Sequence, residues 1–233
     1  EPTVVPSEHF DAVAYTGATP TVDLNTSNFQ PGLGWFKCRS TAYHHALVDS
    51  VRGTDKFLYP SLTIAEETQT NQVEYDVSGV NLIGNFANVN EISSTYVAWL
   101  WKAGGTPVSN TDGTITSQVS ANVDAGFSII GYTPAGAVGT YGHGLSKVPE
   151  LVIVKDRDGV DDWRVGYLGF DNLMYLDLTN ASIANTNNIK SDTDSSVISF
   201  GSGMDTSGHD YIVYAIHSVE GYSKVGSYIG NGN

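Results

Sequence analysis

The chain has 233 residues, with 25 acidic against 11 basic side chains and a net charge of −14. A surface of that sign repels nucleic-acid phosphates and anionic lipid heads, so partners of those kinds are not expected. The single cysteine, Cys38, excludes an internal disulfide, and no apolar run approaches the roughly 18 residues of a membrane-spanning helix.

Gly, Ser, Thr, Asn, β-branched and aromatic residues dominate, and long Ala, Leu, Glu and Lys runs are missing. That mix predicts many short strands joined by polar turns. The opening residues, 1–6, lack a basic start and an apolar run, so they do not read as a signal peptide. With no initiator Met, the chain reads as a processed or excised piece, or as numbered from inside a longer product.

The first strand signal is the segment from Phe10 to Thr16. An apolar run from Leu33 to Cys38 follows Pro31, and Cys38 reads as a small core or sheet residue. Residues 40–52 alternate poorly but carry a strand signal at Ala46, Leu47 and Val48. Residues 63–69 contain Ala65, Glu66 and Glu67, helix formers that predict one or two helical turns. Apolar runs return at Val80 to Leu82 and at Tyr96 to Trp101. Residues 101–124, rich in Gly, Ser, Thr and Asn, read as a linker.

After residue 124 the pattern begins again. Phe10…Tyr15-Thr16 has a partner in Phe127…Tyr132-Thr133, and Pro31…Leu33…Lys37…Arg39 in Pro149…Leu151…Lys155…Arg157. Lys56 to Leu58 falls opposite Met174 to Leu176, Val80 to Leu82 opposite Ile198 to Phe200, and Tyr96 to Trp99 opposite Tyr211 to Tyr214. All offsets lie between 115 and 118 residues. Such constancy predicts two copies of one module, each folding around its own core, over residues 1–105 and 106–233. The runs from Phe127 to Tyr132 and Leu151 to Val154 are nearly continuous in apolar residues, as expected of strands covered on both faces. Polar clusters such as 25–28 and 185–188 mark the turns. Residues 180–184 are a weaker helix candidate. The tail from Glu220 to Gly232 reads either as the opening of a third copy or as a strand completing the second.

Several strings resemble a repeat domain of virion and tail-fibre-like proteins from tailed, marine-type bacteriophages: Asp49-Ser-Val-Arg52-Gly53, Ser109-Asn-Thr-Asp112-Gly113, Val119-Ser-Ala-Asn122, Ala125-Gly-Phe127-Ser-Ile129, Gly142-His143-Gly144-Leu145 and Gly221-Tyr-Ser-Lys224-Val-Gly226-Ser-Tyr228. The resemblance runs from Phe10 to Asn233. It implies a β-sandwich and a place in the extracellular virion, as a fibre, appendage or capsid-surface component among copies of itself and other virion proteins. It transfers no catalytic residues.

The expected fold is all-β, a tandem pair of β-sandwiches of jelly-roll or concanavalin-like type. Asp156, Asp158, Asp161 and Asp162 crowd one turn, and oxygen ligands in a turn suit Ca²⁺, although the full calcium-loop spacing is missing. The plain alternative is a solvated turn. Asp192, Asp194 and Asp205 would serve a glycosidase only as a pair at a defined separation. His44 and His45 would face opposite ways on a strand; His143 sits at a turn into a strand, and His217 follows one. No nucleophile-elbow motif accompanies them. Lys37 with Arg39 and Lys155 with Arg157 recur in both copies, which predicts a shared structural job through ion pairs or packed stems. Trp35, Trp99, Trp101 and Trp163 lie in or beside apolar runs and read as core. Tyr43, Tyr59, Tyr141 and Tyr167 are the candidates for exposed rings that stack on host glycans. The function expected is a non-enzymatic virion structural protein. The alternatives are a secreted carbohydrate-binding module and a polysaccharide depolymerase.

Overall fold

A computed structural model of the chain describes residues 4–25, 28–136, 138–167, 172–184, 189–190, 192–204, 206–228 and 231. The turn cluster at 185–188, Asp205 and parts of the tail lie outside the described residues. The first half contains β1 (Phe10–Thr16), β2 (Thr21–Asn25), β3 (Leu33–Cys38), β4 (Ala46–Asp49), β5 (Gly53–Leu58), β6 (Glu67–Thr68), β7 (Val73–Asp76), β8 (Gly79–Ile83) and β9 (Thr95–Trp101). The second contains β10 (Val108–Asn110), β11 (Ser117–Asn122), β12 (Phe127–Tyr132), β13 (Thr140–Gly142), β14 (Leu151–Asp156), β15 (Arg164–Tyr167), β16 (Asn172–Tyr175), β17 (Ile183–Ala184), β18 (Val197–Ser199) and β19 (Tyr211–Ile216). Two short 3₁₀ turns, Pro6–Glu8 and Ser202–Met204, are the helical content among the described residues, and no helix is long and apolar enough to cross a membrane.

The fold is all-β, with antiparallel pairing throughout the named sheets. The larger sheet of the first half runs β1-β9-β3-β4-β5-β6, and a smaller one runs β2-β8-β7. In the second half the larger sheet contains β12-β19-β14-β15-β16-β17, and β13 pairs with β18. Taken in chain order, the two series connect in the same way. Registers agree as well: Phe10 and Leu33 both oppose Trp101, and Phe127 and Leu151 both oppose Ile216. The second half has one addition, the hairpin β10–β11 laid outside β12.

Strand alternation explains three cores rather than two. In the first half Phe36, Val48, Phe57, Leu82 and Leu100 pack between the large and small sheets. In the second, Ile130, Val154, Phe200, Tyr211 and Val213 do the same. The opposite faces of the two large sheets meet each other. Leu33, Leu47 and Leu58 from one side pack against Phe127, Ile129, Ile212 and Tyr214 from the other, around Trp163. On β19 the odd residues Tyr211, Val213 and Ala215 serve the second core, and the even residues Ile212 and Tyr214 serve the third. That is why β12 and β19 are apolar on both faces.

Three local expectations are corrected. Residues 63–69 form no helix and carry β6 at Glu67–Thr68, because their backbone is taken up elsewhere: the Glu66 N–H donates to the Arg157 carbonyl at 2.7 Å, the Thr63 carbonyl accepts from the Asp161 N–H at 3.0 Å, and β6 pairs with β5. Tertiary hydrogen bonds outweigh a few tenths of a kcal/mol of helix propensity. Residues 180–184 carry β17, paired to β16, rather than a helix. The expected linker carries the β10–β11 hairpin, and the two serines of β11 are buried and bonded: the Ser117 hydroxyl donates to the Gly142 carbonyl, and that of Ser120 to the Gly105 carbonyl, both at 2.8 Å. The break expected at 105/106 falls in the loop between β9 and β10. The described part of the tail forms a turn closed by a Val219–Ser223 bridge, with Tyr222 edge-on to His9.

Candidate functional site

The seam between the halves begins at the end of β4. Asp49 Oδ1 accepts the backbone N–H groups of Val51 and Arg52 at 3.0 and 2.9 Å, fixing the turn into β5, where Gly53 takes a φ of +97°. Its Oδ2 accepts from Arg52 Nε at 2.5 Å and, across the seam, from the Tyr214 phenol at 2.8 Å. Arg52 also donates to the Leu47 and Lys56 carbonyls and, at 3.1 Å, to Glu66. Glu66 then holds Arg157 of the second half through two bonds of 2.9 Å. The Asp49 and Arg52 side chains have no exposure.

These contacts set the ionisation states. Burial opposes the Arg52 charge, but Asp49, Tyr214 and Glu66 outweigh it and raise its pKa. Burial, then the Asp49 charge, drives the Tyr214 phenol well above its usual value, so it remains a donor. Burial alone would raise the Glu66 carboxyl. The hydrogen bond from Arg157 and the charges of Arg52 and Arg157 more than offset this and hold it below its ordinary value.

Lys155 is fully buried beside this chain of charges. Its ammonium donates to the carbonyls of Asp156, Gly159 and Thr63 at 2.7, 3.1 and 3.2 Å, and burial lowers its pKa. Lys37 donates to the Tyr43 carbonyl at 2.6 Å. Each of the recurring lysines therefore pins the loop after its strand through carbonyls, a shared structural contact made by hydrogen bonds where ion pairs or packed stems were expected. Arg39 lies exposed, whereas Arg157 is paired.

The four candidate Ca²⁺ ligands do not converge, and among the described residues no group of three His, Cys, Asp or Glu side chains is placed to hold a metal. Their oxygens serve the turn instead. Asp156 accepts the N–H groups of Asp158 and Gly159, both at 2.9 Å, and its other oxygen meets His209 Nδ1 at 2.8 Å. Asp158 accepts the Asp210 N–H, and Asp161 pairs with Arg164 and accepts the Asp162 N–H. The hydrogen bond that His209 Nδ1–H donates to the Asp156 carboxylate raises the His209 pKa. A raised folded value means that the contact stabilises below the unfolded imidazole value, about 6.5, and is lost as pH rises through the folded one. An NMR titration should find His209 above the ordinary imidazole value, and Asp156→Asn should return it there.

The four candidate glycan tyrosines form no common platform. Tyr59 is 4% exposed and Tyr141 1% exposed, so both belong to cores rather than to a binding face. Tyr59 directly follows β5, with its phenol on Glu67, and Tyr141 packs tilted against Tyr132. Tyr43 is partly exposed, with its phenol on Glu91 at 2.8 Å. Tyr167 is half-buried at the end of β15.

Histidines 44 and 45 precede β4 rather than lying in a strand. His45 accepts the Trp35 indole N–H, and His44 meets Ser61. His143 is fully buried, bonded to the Leu145 N–H and the Asp194 carbonyl, and burial lowers its pKa, so it is a neutral core histidine. His217 meets the Ser218 carbonyl through Nδ1. Asp194 caps a turn through the Ser196 and Val197 N–H groups.

At one end of the seam lies a cleft of about 890 Å³, bordered by His9, Gln30, Ser50, Tyr75, Lys102 and Asn122. Asn122 joins its walls, meeting His9 Nδ1 at 2.9 Å and donating to the Lys102 carbonyl at 3.0 Å. Gly104 forms part of the border, where a Cβ would lie 2.4 Å from the Ala121 carbonyl oxygen. The Ser50 hydroxyl is buried without a partner. With one ammonium, the Asp124 carboxylate and several neutral polar groups, the cleft suits a neutral, hydroxyl-rich ligand held by hydrogen bonds. Sequence reasoning missed it because its walls come from the turn after β4 and from the glycine-rich segment taken for a linker.

A family model covers residues 5–233 of the chain, which therefore belongs to the DUF7483 family, described as a domain of unknown function. No curated protein and no solved structure matches it.

Proposed function

We propose that this DUF7483 chain is a non-enzymatic structural component of a bacteriophage virion, exposed as an appendage, a fibre or part of the capsid surface. The observation that carries the reading is the seam. Two sandwiches of like connectivity share a third apolar core and a buried charge chain, a construction that resists deformation rather than one that moves. The phage-like strings between Asp49 and Tyr228 supply the virion context, and the like strand order supports two copies of one module. Mass spectrometry and cryo-electron microscopy of purified particles from a phage encoding this chain test the assignment. The chain should be present in stoichiometric copies on the particle exterior, and its absence from particles would refute the reading.

A second reading, a secreted carbohydrate-binding module, is favoured by the cleft beside Asn122. A glycan array would show saturable binding of one polysaccharide, reduced by Lys102→Ala. Binding unchanged by that substitution would place the ligand elsewhere.

A further inference from the structure

We infer that β1 is the docking edge for a second copy of this chain, pairing antiparallel with the partner's own β1. The inference stands on strand order and hydrogen-bond direction, independently of the virion reading. In the second half the strand equivalent to β1 is β12, whose outer side is covered by β11 in six consecutive antiparallel pairs, from Ser117 opposite Tyr132 to Asn122 opposite Phe127. β1 occupies the same place in its sheet, and among the described residues no strand pairs with its outer side. The fold thus displays, in its own second half, what this position accepts.

The direction of the backbone groups can be worked out. The Gly17 N–H donates to the Ser94 carbonyl, and the His9 carbonyl accepts from Lys102, so odd-numbered residues face β9. Alternation then turns the even residues Phe10, Ala12, Ala14 and Thr16 outward. The Asp11 carboxylate occupies the Ala12 N–H at 2.8 Å, which leaves Phe10, Ala14 and Thr16 to offer theirs. Sheet edges of this length are normally blocked by Lys, Pro or a bulge. β1 has none of these over seven residues in continuous register with β9. The other edges of the two large sheets are short: β6 and β17 have two residues each, and β10 has three, preceded by Pro107.

A second β1 fits as occupant because the strand is self-complementary. Paired about Val13, Asp11 falls opposite Tyr15 of the partner, so the carboxylates do not face each other. Ala12, Ala14 and Thr16 present small exposed side chains. An isologous pair of this kind closes at two subunits.

Sedimentation over a concentration series tests this. The wild-type chain should reach twice the mass of one chain, and it should do so more readily at high salt, which screens repulsion between two bodies of −14 charge. Ala14→Pro removes an outward N–H not used by β9, and Ala14→Lys adds a charge to an exposed side chain. Both should abolish the dimer, and at concentrations where the wild-type chain is monomeric Ala14→Lys should melt at the same temperature as the wild type. A wild-type chain that stays monomeric throughout, open-ended polymers, or a dimer that persists in Ala14→Lys would overturn the proposal.

Discussion

Replacing Asp49 with alanine will destabilise the folded chain by about 3–5 kcal/mol, the cost of leaving a buried cation without its partner. Arg52 has no exposed side-chain surface and already draws on two carbonyls and Glu66, so neither water nor another group can take over the role of Asp49. The same substitution releases the Val51 and Arg52 N–H groups and the Tyr214 phenol. Tyr214→Phe, which removes one hydrogen bond and leaves the charge pair intact, should cost only about 1–2 kcal/mol. Guanidinium unfolding of both variants checks the ordering. Equal losses would mean that the charge pair adds nothing beyond a hydrogen bond. Acid acts on the same chain through Glu66. Its folded pKa is depressed, so its contribution is complete above the unfolded carboxyl value, about 4.3, and is lost as pH falls through the folded value.

Trp163→Ala carries the second large effect, also about 3–5 kcal/mol. The indole is fully buried in the third core and donates to the carbonyls of Tyr59 and Leu62 in the other half, at 3.1 and 3.2 Å. Truncation opens a cavity between the large sheets and strands both carbonyls. Trp163→Phe keeps most of the volume and loses only the N–H bonds, so it should cost clearly less. Denaturant midpoints of the two variants separate packing from hydrogen bonding, and a loss below about 1 kcal/mol for the alanine variant would show that the sheets close over the gap.

Much of this architecture can be read from the chain. The runs from Phe10, Leu33, Tyr96, Phe127, Leu151 and Tyr211 all form strands, because continuous β-branched and aromatic residues bounded by polar turns have few other ways to bury themselves. The apolar character of Phe127–Tyr132 on both faces signals a second covering layer, but periodicity cannot say which surface supplies it. Here it is the other large sheet. Composition misleads at the β10–β11 hairpin, where Ser117 and Ser120 are buried because their hydroxyls find carbonyls. The site is less legible. Tyr59 and Tyr141 read as candidates for exposed rings, yet each is buried in a core, Tyr59 just after β5 and Tyr141 within β13. The acids at 156–162 look like ligands but cap their own turn. Asp49, Arg52, Glu66 and Tyr214 are spread over 166 residues, and only the fold brings them together.

The shared third core implies that the two halves lose structure together. Hydrogen exchange followed across a denaturant series measures this directly. Amides of β3 and β9 should lose protection at the same denaturant concentration as those of β12 and β19. Separate transitions, with one half exchanging while the other stays protected, would contradict the account.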